Sequence, residues 1–361
     1  MSVNRLKGFF GETCRARKVL VIEPGFLGDA VHLVPALRDL RRNYADAELH
    51  VVSSPAGREV VEMAGCVDRQ WILEQAPGRR RLMDQARVGL ALRRLRFDVS
   101  VNLSGGDRTL ILARIVGARR RLGWRQARWH GWSPWCVDAW AESIDPLIPV
   151  FEQRRRVLAA AGLSLGSVDI TLSPSQESMA AAMAWVPELA IHVSVSASHS
   201  LKEWPLERWV GFIRGFLSVR PDWHVVATGS PGGREQERLG ELRDQVGDRR
   251  LLFPDHPLGV QGLAAVLKRC RLHVGADSGA LHLAQSVGTR TVSLFRAYHD
   301  ASSWMPQGPG HRVVSVPCPC QTGIAESCAT TGIPRCLTDL DVQRVFGACQ
   351  ELLDPAADGT S

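Results

Sequence analysis

The sequence predicts an α/β protein built from two doubly wound, parallel β-sheets. Its 361 residues are too many for one average domain, and an apolar content of 45% is enough for two cores. Short apolar runs typical of buried strands alternate with helical segments, which indicates parallel strands joined by crossover helices. These runs cover residues 18 to 23, 48 to 53, 98 to 103, 190 to 195, 223 to 228, 271 to 274 and 290 to 295.

The division between the two domains is predicted within residues 164 to 178, SLGSVDITLSPSQES. This stretch is rich in Ser and Pro and poor in helix signals, as linkers are. We therefore expect domains over residues 1 to 170 and 171 to 339, followed by a separate helical segment over residues 340 to 361.

The first functional segment is residues 18 to 42, a strand, a glycine turn and a helix. Gly25 and Gly28 do not form the GxGxxG spacing of a dinucleotide-binding turn, so a dehydrogenase is not indicated. Asp29 lies where the helix begins, at the carboxyl end of a strand, and this is where open α/β sheets place ligands. Alternatively, Asp29 only caps the helix.

The second functional segment, residues 275 to 295, repeats this layout. Asp277, Ser278 and Gly279 form a turn between a buried strand and a helix. The free N–H groups of a helix start favour a phosphate or diphosphate, and Gly279 has no Cβ to block its approach. His282 lies on the first helical turn, within reach of the same ligand. Alternatively, Asp277 is only a helix cap and His282 only a packed residue.

Positive charge is concentrated between residues 78 and 128, which contain 14 Arg against three Asp, in a protein of net charge +7. Five tryptophans follow between residues 124 and 140. Together they suit an acceptor with phosphates, acidic sugars and acyl chains, or an anionic membrane surface. The alternative is a solvated arginine-rich helix beside a tryptophan-containing core. Nucleic acid is not expected, because no helix-turn-helix, zinc-finger spacing or RNP motif appears.

The nine cysteines, with no signal peptide and no apolar run of 18 residues, indicate a reducing cytoplasm. Four of them follow the spacing C-x-C-x7-C-x7-C, which either holds a structural Zn or Fe ion or consists of free packing thiols. These four are Cys318, Cys320, Cys328 and Cys336.

Three blocks of the chain resemble glycosyltransferase family 9, the ADP-heptose lipopolysaccharide heptosyltransferases. They are GFLGDAVHLVPAL (residues 25 to 37), SVSASHSLKEWPLERWVGFI (194 to 213) and GADSGALHLAQSVGTRTVSLF (275 to 295). Fainter matches are GARRRLGW (117 to 124) and PQGPGHRVVSVPCPC (306 to 320), so the resemblance extends from about residue 18 to 345.

The resemblance implies the GT-B fold, in which two Rossmann-like domains face each other across a cleft. The first domain would bind the acceptor and the second the nucleotide sugar, with the last helix packing back on the first. The implied reaction is an inverting transfer from ADP-heptose to the lipopolysaccharide inner core, with no cofactor or catalytic metal required. The protein would be cytoplasmic and peripherally bound to the inner membrane.

Residue roles follow from the resemblance and the chemistry. A general base must take the proton of the acceptor hydroxyl, and Asp29 is the candidate. The departing diphosphate needs fixed positive charge and hydrogen-bond donors. The donor would be bound by Ser196, Ser198, Lys202, Asp277, Ser278, Gly279 and His282, and the acceptor by Arg119, Arg120, Arg121 and Trp124.

The chain departs from the family at two positions. Glu23 stands where many members have a basic residue, and Arg296 where many have glycine. Glu23 either adds a carboxylate beside Asp29 or pairs with an arginine, and Arg296 either touches a phosphate or covers the sheet rim. Three other functions remain open: another transferase with a different sugar nucleotide or a protein acceptor, an epimerase of the same fold, and a non-catalytic nucleotide-sugar-binding protein.

Overall fold

A computed structural model describes residues 5–74, 78–125, 130–142, 144–297, 301–322 and 328–354. The chain forms two compact units, Met1–Ile170 and Thr171–Ser361. Each contains a six-stranded sheet whose paired strands are all parallel, so the predicted α/β fold class is confirmed.

The first unit contains a sheet with the strand order β3-β2-β1-β4-β5-β6. Its strands are β1 (Lys18–Ile22), β2 (Glu48–Ser53), β3 (Arg69–Ile72), β4 (Val99–Asn102), β5 (Arg120–Trp124) and β6 (Ala139–Ala141). Its helices are α1 (Phe9–Thr13), α2 (Leu27–Asn43), α3 (Pro55–Ala64), α4 (Gly78–Arg94), α5 (Asp107–Val116) and α6 (Val150–Ala160). The last four residues of β1 are completely buried, as expected of a central parallel strand covered on both faces.

The second unit contains a sheet with the strand order β12-β11-β10-β7-β8-β9. Its strands are β7 (Ala190–Ser194), β8 (His224–Ala227), β9 (Leu251–Leu252), β10 (Leu272–Ala276), β11 (Arg290–Leu294) and β12 (His311–Val314). The helices are α7 (Gln176–Met183), α8 (Leu206–Val219), α9 (Gly233–Val246), α10 (Val260–Arg269), α11 (Gly279–Ser286), α12 (Cys328–Thr331), α13 (Arg335–Thr338) and α14 (Val342–Leu353).

All seven strands predicted from apolar runs are present, with ends shifted by at most two residues. The two sheet orders place β1 next to β4 and β7 next to β10, where the direction of winding reverses. In open α/β sheets ligands bind beyond the carboxyl ends of the strands at such a reversal. The turns that carry Asp29 and Asp277 follow β1 and β10, so each lies at this position of its own sheet.

The last helix, α14, belongs to the second unit. Its buried residues Val345, Cys349 and Leu352 join the hydrophobic core formed by α8 and the sheet. The structure places the apolar face of this helix on the second sheet, and the packing on the first domain that the family resemblance implied stays a prediction. The buried residues recur at i, i+4 and i+7, so they form one stripe along the helix and are covered together.

Candidate functional site

The first part of the site is the turn between β1 and α2. After β1, the Glu23 N–H donates to the Val52 carbonyl (3.0 Å) and continues the pairing with β2. Residues 24 to 26 then turn into α2, where the Phe26 N–H donates to Asp29 Oδ2 (3.0 Å). Asp29 therefore caps the helix, as the simpler interpretation predicted, yet its side chain keeps 25% of its surface exposed and accessible to a ligand.

Only glycine fits at position 25, because the Asp29 side chain approaches the backbone closely there. A Cβ at position 25 would lie 2.6 Å from the Asp29 Cβ and 2.7 Å from its Oδ2. No real Cβ tolerates such a contact, so any side chain here would displace the carboxylate. The glycine in this turn is thus needed for Asp29 to keep its position.

Arg154 of α6 connects Asp29 to Glu23. One terminal nitrogen of its guanidinium donates to both Glu23 Oε2 and Asp29 Oδ1, each at 3.0 Å, and the other donates to the Asp29 carbonyl. Arg154 and Glu23 are buried, with 6% and 3% of their side chains exposed. Glu23 thus both lies near Asp29 and pairs with an arginine, the two alternatives considered for this position.

Burial controls the ionisation of Glu23. Desolvation raises the pKa of this carboxyl from 4.5 to about 7, and the positive charge of Arg154 opposes the increase only in part. The charge of Asp29 raises it further, whereas hydrogen bonds from the Gly25 N–H and the Ser104 hydroxyl lower it. Glu23 therefore changes its charge close to neutral pH.

A pocket of about 500 Å³ opens beside the β1–α2 turn. It is lined by Gly25 and Phe26, by the two residues that follow β3, by Ser104 in the loop after β4, and by Asp107 and Arg108 at the start of α5. In the described part of the chain, Arg108 Nε is buried without a hydrogen-bond partner. Arg108 was not predicted as a site residue, although the run SGGDRT after a strand has the same strand–turn–helix layout as the other two segments.

The arginines expected at the acceptor site lie at the amino ends of the strands of this sheet, whereas Asp29 follows the carboxyl end of β1. Arg120 begins β5 opposite Val99, which lies beside Val19 at the amino end of β1. Arg120 pairs with Glu12, and Arg121 donates to both carboxylate oxygens of Asp138 (2.7 and 3.2 Å).

Arg119 has 83% of its side chain exposed and lies 3.7 Å from Asp98, at that same amino edge. Ion pairs with Glu12 and Asp138 engage two of these three arginines, and the acceptor role expected for all three stays a prediction. Trp124 ends β5 at the carboxyl edge, the same edge as Asp29. Arg128 and Trp129 lie outside the described residues.

The second part of the site is at the start of α11. Lys202 Nζ donates to Asp277 Oδ2 (2.6 Å), and His282 Nε2 lies 3.6 Å from Asp277 Oδ1. Burial alone would raise the pKa of Asp277, but its hydrogen bond with His282 and the charge of Lys202 hold it well below its usual range. Asp277 is therefore a carboxylate at neutral pH, fixed between two basic side chains.

Two hydroxyl groups beside this cluster have no hydrogen-bond partner among the described residues. They are Ser196 Oγ, two residues after β7, and Ser278 Oγ, at the N-cap of α11. Since β7 pairs with β10, the two loops emerge from neighbouring strand ends. Buried hydroxyls are normally satisfied, so a polar ligand is a natural partner for both. Ser198, on the same β7–α8 loop, is exposed.

The loop that carries Ser196 and Lys202 is held by α9. The carboxylate of Glu203 accepts from the Ala197 N–H (2.9 Å) and from Arg234 (2.6 Å). Arg234 also donates to the Ala197 carbonyl (2.7 Å), and Arg238 donates to the Val195 carbonyl (3.0 Å). No local pattern predicts these contacts, because α9 follows the loop by about 30 residues.

The four clustered cysteines come together beside Arg296. Cys318 is hydrogen-bonded to both Cys320 and Cys336, and Arg296 donates to Cys328 Sγ at 3.9 Å. All nine cysteines are free thiols. Among the described residues, no group of three or more His, Cys, Asp or Glu side chains is arranged to hold a metal ion. Arg296 thus faces the thiols, a contact that neither interpretation of this position predicted.

Comparisons with known proteins identify the family of the chain and its fold. Residues 85–333 match the family model of glycosyltransferase family 9 (heptosyltransferase). Lipopolysaccharide heptosyltransferase 3 of Escherichia coli is 23% identical over 293 residues, which cover 78% of this chain and 84% of that protein.

Solved structures show the same fold. The family 9 glycosyltransferase of Veillonella parvula superposes with a TM-score of 0.79 at 18% identity, over 94% of this chain and 98% of that one. The ADP-heptose lipopolysaccharide heptosyltransferase II of E. coli gives 0.73 at 19% identity, over 93% and 98%.

Proposed function

Since the chain belongs to glycosyltransferase family 9, we propose that this glycosyltransferase moves a heptose from ADP-heptose to an anionic, lipid-linked saccharide, the lipopolysaccharide inner core. ADP-heptose is the sugar nucleotide in the name of the E. coli heptosyltransferase II, to which the chain is similar. The observation that carries the proposal is the cluster of Lys202, Asp277 and His282 at the start of α11.

The donor half of the proposal rests on the second unit. A diphosphate placed over the N-terminus of α11 would meet its free N–H groups and the Ser278 hydroxyl. Lys202 adds positive charge, and Asp277 holds its ammonium group there. This preorganised charge is what a departing diphosphate requires, because negative charge develops on it as the glycosidic bond breaks.

The acceptor half of the proposal rests on the first unit. The pocket beside the β1–α2 turn is large enough for a sugar residue, and Arg108 supplies a guanidinium for its phosphate or carboxylate groups. Phe26 has 67% of its surface exposed at the rim of this pocket and offers an apolar ring to a sugar face. Asp29 follows Phe26 by three residues and would face the acceptor hydroxyl.

The proposed reaction is a single displacement. Asp29 takes the proton of the acceptor hydroxyl, and the hydroxyl oxygen forms a bond to the anomeric carbon. The bond from that carbon to the diphosphate oxygen breaks, and ADP leaves with the electron pair. Attack from the side opposite to the leaving group inverts the anomeric centre, as the family resemblance implies.

Peripheral membrane binding is part of the proposal. No helix in the described part of the chain is long and apolar enough to span a bilayer. The first unit exposes apolar side chains close to its arginine-rich segment, including Met83, Leu90 and Trp135. Such a surface suits an anionic bilayer, which attracts the arginines and accepts the tryptophan at its interface. The test is sedimentation with vesicles, where binding is expected with anionic vesicles but not with neutral ones.

Transfer itself is the decisive test. The purified protein is incubated with a heptose-deficient lipopolysaccharide and, in separate reactions, with ADP-heptose and with UDP- and GDP-sugars, and the product mass is measured. A mass increase of one heptose with ADP-heptose alone is expected. Release of free sugar without an acceptor would instead indicate an epimerase, and binding without turnover a non-catalytic protein.

The role of Asp29 is tested with the isosteric variant Asp29→Asn. The amide fills the same space and keeps one acceptor oxygen for the Phe26 N–H, but it cannot act as the base, so transfer is expected to fall by about a thousandfold while ADP-heptose binding is unchanged. Asp98→Asn, at the amino edge of the same sheet, is the matched control. Turnover of Asp29→Asn at the wild-type rate would remove Asp29 from this role.

A further inference from the structure

Glu23 does not take part in the displacement described above, yet it is ionisable, buried and coupled to the proposed base. Its Oε2 and Asp29 Oδ1 each lie 3.0 Å from the same guanidinium nitrogen of Arg154. Arg154 is the third member of this group, and only 6% of its side chain is exposed. The charge of each carboxylate therefore acts on the other across a shared partner, and the burial of Arg154 and Glu23 reduces screening by water.

From this shared contact we infer that Glu23 is a positioning residue that controls how readily Asp29 accepts the acceptor proton, by competing with Asp29 for Arg154. The inference rests on the proposed function, in which Asp29 is the base. It assigns a role to a residue that stands where many family members have a basic side chain.

The charge balance gives the direction of the effect. With Glu23 ionised, the group of Glu23, Arg154 and Asp29 carries one net negative charge, and proton uptake by Asp29 makes it neutral. With Glu23 neutral, the group starts neutral and becomes positive. A buried positive charge without a partner is unfavourable, so Asp29 is the better proton acceptor while Glu23 is ionised.

The ionisation of Glu23 depends on the groups around it. Those that act on it are Arg154 from α6, Asp29 from α2, the Ser104 hydroxyl after β4 and the Gly25 N–H. His32, the next titratable side chain along α2, stacks on Phe151 of α6 with ring centroids 6.0 Å apart. Since the pKa of Glu23 is raised to about 7, transfer is expected to accelerate as the pH rises through neutrality.

The first experiment measures kcat for heptose transfer from pH 5.5 to 8.5 in the wild type and in Glu23→Gln. The amide fills the same space without a charge, so Arg154 pairs with Asp29 alone. We expect kcat at pH 8 to fall about tenfold and the rise near pH 7 to disappear. Glu23→Asp keeps the charge and should restore the rise. A wild-type pH profile in Glu23→Gln would overturn the inference.

Asp39→Asn is the matched control. Asp39 is a buried carboxylate of α2 that accepts from Arg155, the residue next to Arg154, at 2.6 Å. It has 2% of its side chain exposed and contacts neither Asp29 nor Glu23 among the described residues. This variant also removes a buried ion pair, between α2 and α6, but the rise of kcat near pH 7 should remain.

A second measurement separates this inference from the proposed function. The titration of the Glu23 carboxyl is followed by carbon NMR in the wild type and in Asp29→Asn, with no substrate present. Removal of the Asp29 charge should lower the titration midpoint of Glu23. If the midpoint of Glu23 is lower in Asp29→Asn but the wild type transfers no heptose, the proposed function alone is overturned. If the wild type transfers heptose but the midpoint of Glu23 is the same in both proteins, the coupling alone is overturned.

Discussion

Replacement of Glu23 by Gln should change the pH dependence of stability as well as of turnover. Burial raises the pKa of Glu23 from 4.5 to about 7, and its side chain is only 3% exposed. Between these two values the folded protein holds a proton that the unfolded chain releases. The free energy of unfolding therefore decreases as pH rises from about 4.5 to about 7, and is constant with respect to this group above that range.

The magnitude follows from the width of this interval. Each pH unit corresponds to about 1.4 kcal/mol, so ionisation of Glu23 lowers the free energy of unfolding by about 3 kcal/mol across the interval. The Gln variant lacks this contribution. The advantage of the wild type over the variant should accordingly be about 3 kcal/mol smaller at pH 8 than at pH 4.5.

Hydrogen exchange of the buried β1 amides is the appropriate assay, because β1 lies in the middle of the first sheet and reports on that unit. Exchange is measured from pH 4.5 to 8 in both proteins and converted to opening free energies. The difference between the two proteins cancels the titration of the groups that are not coupled to Glu23. A difference that stays constant across this range would refute the assignment of a raised pKa to Glu23.

Three further predictions concern other parts of the structure. Lys202→Met removes the ammonium that pairs with Asp277, so the Kd for ADP-heptose in calorimetry should rise at least tenfold, whereas Lys268→Met should leave it unchanged. Gly25→Ala should displace Asp29 and reduce kcat about a hundredfold without weakening ADP-heptose binding; an unchanged kcat would contradict the 2.6 Å contact. Trp204 is fully buried, and its indole N–H donates to the Leu340 carbonyl, so Trp204→Phe should lower the urea-unfolding free energy by about 2 kcal/mol.

Five strands of the described chain were not predicted from apolar runs: β3, β5, β6, β9 and β12. Four of them are at the edges of the sheets, and the interior strand β5 begins with two arginines. β3 (Arg69–Ile72) and β12 (His311–Val314) are edge strands with little burial, so they carry no apolar run. β9 has only two residues. An edge strand forms because a neighbour offers backbone partners, which is a property of the sheet rather than of the strand's own residues.

The sequence by itself determined the two sheets, the strand–turn–helix units and the residues at their turns, including Asp29 and Asp277. Each of these depends on local periodicity and turn chemistry, which adjacent residues specify. The concentration of arginines suggested Arg119 to Arg121 as ligands of the acceptor. It did not show that Glu12 and Asp138 form ion pairs with two of these side chains, at the amino ends of the strands.

Only the tertiary structure decided which charges meet. Arg154 is 125 residues from Asp29 in the chain, and Arg234 is 31 residues from Glu203, yet each pair is in hydrogen-bond contact. Such contacts depend on helix packing that no short segment encodes, and so does the burial that places the pKa of Glu23 near neutrality. Local sequence was enough to locate the residues of the site. Their charge interactions depend on helices that are distant in the sequence and pack around the site.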